Sequence, residues 1–82
     1  MWFTYILYSQ KIDHYYVGHT DNLTSRLERH NLGWGRYTKR GIPWKLAYYE
    51  QFPSKTLAIS RENEIKQKKS RIYIEWVIHN KK

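Results

Sequence analysis

Residues 2–18 read WFTYILYSQKIDHYYVG, and this stretch decides the fold. Residues 2–8 are rich in aromatic and β-forming types, which favour a strand. Residues 10–13 are polar and turn-like, and residues 14–18 return to β-forming types. The pattern therefore predicts two adjacent antiparallel strands joined by a short turn.

A helical pattern follows these two strands. Residues 20–22 (Thr-Asp-Asn) supply side-chain oxygens of the kind that cap helix starts. Leu23, Leu27 and His30 then recur at i, i+4 and i+7, which places them on one helical face. Gly33 ends the pattern, because glycine is typical of the position that follows a helix.

The rest of the chain predicts one more strand and two more helices. Residues 33–41 predict a loop, and residues 44–52 predict a third strand. Each remaining helix opens on a capping serine, and the two helices cover about residues 54–68 and 70–80. The order β-β-α-β-α-α predicts one α+β domain over residues 1–82, with a small three-stranded antiparallel sheet flanked by helices.

The composition favours a nucleic-acid partner. Fifteen Lys and Arg residues against seven Asp and Glu give a net charge of +8 on 82 residues. This charge density favours polyanions, although a merely soluble basic protein, or one that meets anionic membrane, has the same balance. The aromatic content of 17%, interleaved with the basic residues, favours nucleic acid over both alternatives.

The sequence also argues against three other classes of protein. With no cysteine, the chain has neither a disulfide nor a thiolate zinc site, which fits a reducing cytoplasm. The apolar run at residues 2–8 is too short to span a bilayer. The loop at residues 33–41 contains glycines but lacks the Lys-Ser or Lys-Thr ending of a P-loop. We therefore expect a cytoplasmic protein that has no membrane partner and no phosphate-cradling nucleotide loop.

Two tripeptides resemble a known family. Phe3-Thr4-Tyr5 is followed by ten residues and then Tyr16-Val17-Gly18, which resembles the paired signature that names the GIY-YIG nucleases. The first tripeptide departs from that signature, because it has Phe-Thr where Gly-Ile is usual. Further matching positions run through most of the chain: Thr20-Asp21-Asn22-Leu23, Arg26-Leu27, His30-Asn31, Gly33, Tyr37-Thr38, Pro43, Glu50, Phe52, Ala58, Arg61-Glu62 and Ile65-Lys66.

The resemblance implies both a fold and an activity. The family includes the nuclease domain of an excision-repair excinuclease and several homing endonucleases. This chain is similar to the small stand-alone branch, which implies a metal-dependent endonuclease that hydrolyses phosphodiester bonds of DNA, with RNA left open. The implied cofactor is Mg²⁺ or Mn²⁺. The competing hypothesis is a nucleic-acid-binding module with the nuclease fold and little or no turnover.

The resemblance places two tyrosines in the active site. Tyr5 and Tyr16 lie on adjacent antiparallel strands, so their side chains can share one face of the sheet. Two core tyrosines are the alternative. The family role for Tyr16 is to activate the attacking water or to act beside it, with Tyr5 next to it. A phenol with an ordinary pKa of about 10 becomes a useful base only where cations stabilise the phenolate.

The first predicted helix contributes a cation and a histidine to the predicted catalytic set. Arg26 flanks the apolar stripe, and from there its planar guanidinium can hold a phosphate; a solvated helix charge is the alternative. The resemblance assigns Arg26 to stabilising the pentavalent phosphate. His30 shares the stripe, where a histidine is either a satisfied core residue or a group that shuttles a proton or binds phosphate.

Glu62 is the carboxylate on which the metal hypothesis depends. Ala58, Glu62 and Ile65 recur at i, i+4 and i+7, so the carboxylate faces inward. A buried carboxylate needs cations or a metal ion as partners. The resemblance makes Glu62 a catalytic residue and the single protein ligand of Mg²⁺, an ion that commonly keeps several waters and takes one or two carboxylates. Glu64, with Arg61 three residues before it, is instead predicted to be exposed and salt-bridged.

A nucleic-acid grip is predicted in the loop before the third strand. Arg36, Lys39 and Arg40 are placed to meet phosphates, while Tyr37 or Trp34 stacks on a base. The alternative is an exposed loop that is anchored by a buried tryptophan.

Two further positions are predicted to contact nucleic acid. His19 follows the Tyr-Val-Gly strand, where some relatives carry lysine, and a neutral histidine would supply less charge. Lys66 begins a basic cluster with Lys68, Lys69 and Arg71, for which the alternative is a solvated helix end.

The sequence shows no second domain that could choose a target. Family nucleases usually rely on such a domain for selectivity. We therefore expect poor selectivity in the isolated chain, a homodimer, or a targeting partner protein.

Overall fold

The computed structural model describes residues 1–80 and has the predicted α+β architecture. The three strands are antiparallel, and helices pack around them, so the predicted fold class and element order are confirmed. The elements are β1 (Trp2–Ser9), β2 (His14–Thr20), α1 (Leu23–Asn31), β3 (Trp44–Phe52), α2 (Lys55–Gln67) and α3 (Arg71–His79).

The sheet has the order β2-β1-β3, so the most apolar strand lies in its centre. Four consecutive residues of β1, from Thr4 to Leu7, are buried, as expected of a strand covered on both faces. In the antiparallel register Tyr5 lies opposite Gly18, and Leu7 lies opposite Tyr16. β2 and β3 are therefore the two edges of the sheet.

The two faces of the sheet have separate cores. One core lies on the α1 side and has Tyr5, Leu7 and Trp44 at its centre, with Leu23 and Leu27 of α1 packed against them. The other lies on the side of α2 and α3, and its buried residues are Ile6, Val17, Tyr48, Ile65 and Val77. The alternation of side chains along β1 thus sends successive residues into different cores.

All three helices begin where their capping residues predict. The side chains of Asn22, Ser54 and Ser70 each accept a hydrogen bond from a backbone N–H in the first turn of the following helix. Each such cap is worth about 1 kcal/mol of stability. The helices end within a residue or two of the predicted positions, where local signals are weakest.

The segment at residues 33–41 differs from the predicted loop, because it contains a 3-10 helix at Thr38–Gly41. The indole of Trp44 donates a hydrogen bond of 2.7 Å to the carbonyl of Thr38. A Cβ on Gly41 would lie 2.5 Å from the ring of Trp44, so only glycine allows this close packing. Contact with Trp44 of β3 thus shapes this turn, and the glycines and charges of the sequence do not predict that contact.

Within residues 1–80, no helix has the length and apolar character needed to cross a membrane.

Candidate active site

Tyr5 of β1 is the centre of a cluster of aromatic side chains. Its side chain is buried, and its hydroxyl lies 3.1 Å from Nε2 of His30 on α1. The ring of Tyr16 lies 6.4 Å from that of Tyr5 and 5.0 Å from that of His30, measured between centroids. The expectation that both tyrosines share one face of the sheet is therefore confirmed.

Gly18 makes room for Tyr5. The two residues face each other across β1 and β2, and a Cβ built on Gly18 would lie 2.6 Å from the Tyr5 hydroxyl. A side chain at this position would have to displace the phenol from His30. The glycine of the second tripeptide therefore has a local physical reason, which is the seat of the buried tyrosine.

His30 is held at both ring nitrogens, because Nδ1 lies 2.9 Å from Oγ1 of Thr38. The Thr38 hydroxyl has the carbonyl of Gly35 as an acceptor, so its oxygen is free to accept from Nδ1–H. Nε2 then carries no hydrogen and accepts from the Tyr5 hydroxyl. Burial lowers the pKa of His30, and the charge of Arg26 lowers it further, so the neutral ring is favoured.

Tyr5 keeps its proton at neutral pH. Burial raises the pKa of Tyr5 well above its ordinary value of 10.0, and the neighbouring Tyr16 raises it further. Arg26 acts in the opposite direction, but its effect is smaller than that of burial. Tyr5 is thus a hydrogen-bond donor that orients His30, and it is a poor candidate for the base.

Arg26 supplies a positive charge that is not neutralised within the site. Its side chain is half-buried, and among residues 1–80 it forms neither a hydrogen bond nor an ion pair. Its charge nevertheless lowers the pKa of both Tyr5 and His30, which places it within electrostatic reach of that pair. An uncompensated guanidinium in such a position is suited to bind an anion such as phosphate.

Glu62 faces inward from α2, as predicted, together with Ala58 and Ile65. Its side chain is only 11% exposed, yet both carboxylate oxygens have cationic or polar partners. Nδ1–H of His19 donates to Oε1 at 2.6 Å, and Nζ of Lys66 donates to Oε2 at 2.6 Å. These two contacts compensate the burial of the carboxylate.

The predicted catalytic residues form two groups on opposite faces of the sheet. Tyr5, Tyr16 and His30 lie on the face toward α1, and Glu62 lies on the face toward α2. Tyr5 points toward α1, whereas His19 pairs with the neighbouring Thr4 and points toward α2. The charge of Glu62 still raises the pKa of Tyr5, so the two groups interact electrostatically across the sheet. The free edge of β2 is where a substrate can reach both groups.

The donor set around Glu62 fits a hydrated Mg²⁺ or Mn²⁺ ion. Among residues 1–80, no three or more His, Cys, Asp or Glu side chains cluster as a metal cage. A single carboxylate is nevertheless sufficient for Mg²⁺, which keeps several waters and binds substrate phosphate as well. Each carboxylate oxygen has two lone pairs, so each retains acceptor capacity after the contacts with His19 and Lys66.

The predicted grip on nucleic acid is exposed. Arg36, Lys39 and Arg40 have exposed side chains, and none has a carboxylate partner within residues 1–80. Tyr37 is 60% exposed, and its ring lies 6.4 Å from that of Tyr16. The loop therefore brings the aromatic ring of Tyr37 to the predicted active site and carries exposed cations on either side of it.

Trp34 does not anchor this loop in the core. It is 69% exposed, with the guanidinium of Arg29 lying 5.2 Å from its ring. The alternative of a buried tryptophan in the loop is wrong, because the buried indole nearby belongs to Trp44 of β3. Trp34 is thus available for stacking, as is Tyr37.

Other predicted features are confirmed or extended at α2. Glu64 is exposed and pairs with Arg61 at 3.0 Å, as predicted. Lys66, predicted to contact nucleic acid, points its ammonium at Glu62 while its side chain remains 49% exposed. His19, which would supply less charge than a lysine, is the second partner of Glu62.

Two residues that shape the site have no role predicted from the sequence. Thr38 holds Nδ1 of His30, although the only signal is its place in the resemblance to the family. Asn31 is predicted only to stand near the end of a helix. Its side chain donates to the carbonyl of Trp44 at 3.0 Å and accepts from the Trp44 amide at 2.6 Å, which fastens α1 to β3.

Comparisons with known proteins agree with this geometry. The family model described as the GIY-YIG catalytic domain matches residues 1–77. UPF0213 protein SpyM50708 of Streptococcus pyogenes serotype M5 is 46% identical over 57 residues, which cover 68% of this chain and 62% of that protein. UPF0213 protein SpyM3_1077 of Streptococcus pyogenes serotype M3 matches with the same identity and coverage. The match thus spans less than two thirds of these relatives' length.

A solved structure is also similar. The solution NMR structure of the UPF0213 protein BH0048 from Bacillus halodurans has a TM-score of 0.62 and 32% sequence identity to this chain. The similarity covers 99% of this chain and 86% of the other. Because the family model covers residues 1–77 and a related solved structure has the same fold, this chain belongs to the GIY-YIG family of nuclease domains.

Proposed function

We propose that this protein is a metal-dependent endonuclease that hydrolyses phosphodiester bonds in DNA. The observation that carries the proposal is Arg26, a half-buried cation without a hydrogen-bond or ion-pair partner among residues 1–80, which lies one helical turn before His30 on α1. Its charge lowers the pKa of both Tyr5 and His30. A structural arginine in such a position would normally be paired with a carboxylate. An arginine that awaits a phosphate would not.

In this proposal Arg26 holds the phosphate that is attacked. As water adds to phosphorus and the ester P–O bond breaks, negative charge grows on the phosphate oxygens. The guanidinium fork can donate two hydrogen bonds to these oxygens. Because the cation is already in place, it stabilises that charge without further reorganisation.

Tyr16 is the tyrosine placed to act on the attacking water. Its side chain is half-buried, and its hydroxyl has no hydrogen-bond partner among residues 1–80. Tyr5 and His30 are hydrogen-bonded to each other, and both rings contact the ring of Tyr16 and fix its position. Tyr16 can therefore orient the attacking water through its hydroxyl group, while Tyr5 and His30 hold the geometry.

Glu62 would hold the divalent ion, with His19 and Lys66 orienting its carboxylate. When bound, Mg²⁺ or Mn²⁺ supplies positive charge that neutralises the phosphate. The Lys66 side chain is half exposed, so it can turn from Glu62 toward a phosphate of the substrate. The family is generally dependent on a divalent metal ion, which supports this assignment.

The DNA strand is gripped by the basic surface around the site. Arg36, Lys39 and Arg40 contact phosphates, while Tyr37, next to Tyr16, and His19, next to Glu62, contact the strand near the reacting group. The net charge of +8 supports binding through phosphate contacts and release of counterions. We propose that target choice comes from a homodimer or a partner protein, because no base-reading element is evident in residues 1–80.

A nucleic-acid-binding module without turnover is the second candidate. One observation favours it, which is that both oxygens of Glu62 are satisfied by His19 and Lys66. The contact with His19 joins α2 to β2, and the contact with Lys66 lies within α2, so Glu62 has a structural use without any metal ion. The inward glutamate therefore does not by itself distinguish the enzyme from the binder.

A nicking assay on supercoiled DNA and on branched DNA, with and without Mg²⁺ or Mn²⁺, tests the proposal. The enzyme is expected to nick only when the divalent ion is present. DNA binding without nicking under any of these conditions would favour the binding module. Absence of both binding and nicking would overturn both candidates.

A further inference from the structure

A cleft of about 450 Å³ opens beside Tyr16 at the free edge of β2. Its apolar floor includes Val17, Ile65 and Ile74, and the rings of Tyr16 and Tyr37 line it as well. The cleft lies between β2, the loop before β3 and the junction of α2 with α3. It therefore adjoins the proposed active site, and the two share Tyr16.

The cationic side of the cleft is formed by residues of the basic cluster that begins at Lys66. Lys66, Lys69 and Arg71 all line it. Lys66 is engaged by Glu62, and Arg71 is engaged by Asp13 and Glu75. Among residues 1–80, the ammonium of Lys69 has no hydrogen bond or ion pair. Lys69 is thus the cation that the cleft offers to a ligand.

The backbone of Lys69 is unusual for a lysine. Its φ angle is +46°, in the left-handed region that glycine adopts at little cost. Lys69 is the second residue after α2, a position at which glycine is the common residue. Lysine at this point is strained, and strain of this kind is concentrated at binding sites and other functional positions. The left-handed turn fixes where the side chain leaves the backbone.

The walls of the cleft are held in place by contacts between distant segments. Arg71 of α3 reaches the turn after β1, where it pairs with the Asp13 carboxylate at 2.6 Å and donates to the Asp13 carbonyl at 3.0 Å. Tyr15 of β2 donates to Glu75 of α3 at 3.2 Å. The cleft is therefore formed before a ligand arrives, which lowers the cost of binding.

We propose that this cleft binds one unpaired nucleotide that adjoins the scissile phosphate. The base packs against the rings of Tyr37 and Tyr16, and the phosphate of that nucleotide meets Lys69. The inference rests on the proposed function, since Tyr16 is common to the cleft and the proposed active site. The substrate class is then DNA that has a single-stranded segment next to the cleavage position.

The size and chemistry of the cleft favour a single nucleotide. Its volume lies within the range of sites that enclose small ligands, and it is too small for a base pair with both of its backbones. Aromatic rings beside a cation are the arrangement that binds single-stranded nucleic acid, because every base has a face that stacks. A duplex would contact the outer basic surface and leave the cleft empty.

The first experiment compares Lys69→Gly with Lys45→Ala, a change on the opposite edge strand outside the cleft. Binding to DNA with a single-stranded overhang is measured without divalent metal, so that cleavage does not intervene. Lys69→Gly is expected to raise Tm by about 5 °C, because the left-handed strain is relieved. It should also weaken overhang binding and reduce the salt slope by about one, whereas Lys45→Ala leaves the slope unchanged. Unaltered overhang affinity in Lys69→Gly would overturn the proposal.

The second experiment compares Tyr37→Ala with Tyr37→Phe on blunt duplex and overhang DNA of equal length. The unmodified protein is expected to bind the overhang about tenfold more tightly than the duplex. Tyr37→Phe should keep this preference and Tyr37→Ala should lose it, because stacking requires only the ring. Equal affinity of the unmodified protein for the two DNAs contradicts the proposal.

The nicking assay separates failure of this inference from failure of the proposed function. Nicking with no preference for the overhang removes the nucleotide cleft and leaves the endonuclease. A preference for overhang DNA without nicking supports the cleft and removes the endonuclease.

Discussion

The hydroxyl of Tyr5 lies 3.1 Å from Nε2 of His30, and this contact joins the central strand to α1. The two residues are 25 positions apart in the chain, and both are buried. His30 is held in turn by Thr38, so β1, α1 and the 3-10 helix share one chain of hydrogen bonds. The arrangement fixes a neutral imidazole next to the ring of Tyr16.

Removal of the Tyr5 hydroxyl tests the importance of this contact. Tyr5→Phe leaves Nε2 of His30 buried without a donor, which is expected to lower the free energy of unfolding by about 1–3 kcal/mol. Nicking should fall as well, because His30 and Tyr16 lose their fixed positions. Urea denaturation gives the first quantity and the nicking rate gives the second. Tyr8→Phe, which removes an exposed hydroxyl bonded to Asp13, is the control and should change stability less.

Gly18→Ala tests the same contact from the opposite strand. The added Cβ would lie 2.6 Å from the Tyr5 hydroxyl, so the phenol must move away from His30. We expect destabilisation by about 1–3 kcal/mol from overpacking, with loss of nicking. If Gly18→Ala is as stable and as active as the unmodified protein, Tyr5 is not held in the way described.

Several features of the fold follow directly from local sequence patterns. Asn22, Ser54 and Ser70 mark helix starts because capping depends on one side chain and the next turn of backbone. The inward position of Glu62 follows from the helical spacing of its neighbours. These signals are short-range, so they can be recognised in the sequence alone.

The partners of the site residues could not be obtained in that way. His19 meets Glu62 across 43 positions of the chain, and Thr38 meets His30 through a turn that depends on Trp44. Neither contact has a local pattern, because tertiary packing creates both. The burial that raises the pKa of Tyr5 likewise depends on α1 covering β1.

The low pKa of His30 predicts a pH dependence of stability. Burial lowers the pKa of His30 below its ordinary value of 6.5. Between the folded pKa and 6.5, the unfolded chain binds a proton that the folded protein does not, so the free energy of unfolding decreases as the pH falls through this window. Above it the ring is neutral in both states. Urea denaturation at about pH 7.5 and about pH 5 should show a steeper acid loss for the unmodified protein than for His30→Gln.

Arg26→Ala should remove most cleavage while largely preserving the fold and DNA binding. The guanidinium has no structural partner among residues 1–80, so little stability depends on it. Loss of a group that stabilises charge in the transition state typically costs about 10²–10³ in rate. Arg26→Lys should recover only part of the rate, because an ammonium lacks the planar fork. Arg29→Ala, which removes the exposed cation stacked on Trp34, is the matched control, and a wild-type rate in Arg26→Ala would assign Arg26 to the solvated surface.

The affinity for DNA should depend strongly on salt. The free cations Arg36, Lys39 and Arg40 lie on the surface with few acidic neighbours, and the chain carries a net charge of +8. If about six basic side chains neutralise phosphates, affinity should fall roughly 10³-fold between about 50 and about 200 mM salt. Fluorescence anisotropy over this range measures the slope. Salt-insensitive binding, or no binding at the lower concentration, would contradict a phosphate-dominated interface.

Glu62→Gln separates the enzyme from the binding module most clearly. Glutamine keeps the size of the side chain and part of its hydrogen bonding with His19 and Lys66, but it removes the charge that attracts a divalent ion. If Glu62 holds the metal ion, cleavage should disappear while DNA binding stays equal or tightens, since one repulsive charge is gone. If Glu62 only joins α2 to β2, the change should lower the free energy of unfolding by about 3–5 kcal/mol. Nicking should then fall only in proportion to the unfolded fraction.

Three measurements on that variant decide between the two roles: the melting temperature, the affinity for DNA and the nicking rate with Mg²⁺ or Mn²⁺. The exposed Glu64, which pairs with Arg61 one turn away, supplies the control Glu64→Gln. Removal of the Glu64 charge should change none of the three measured quantities substantially, because an exposed ion pair contributes little to stability. Unchanged nicking in Glu62→Gln would remove the metal role. A loss of nicking in protein that remains folded and still binds DNA would establish that the carboxylate charge itself is needed for cleavage.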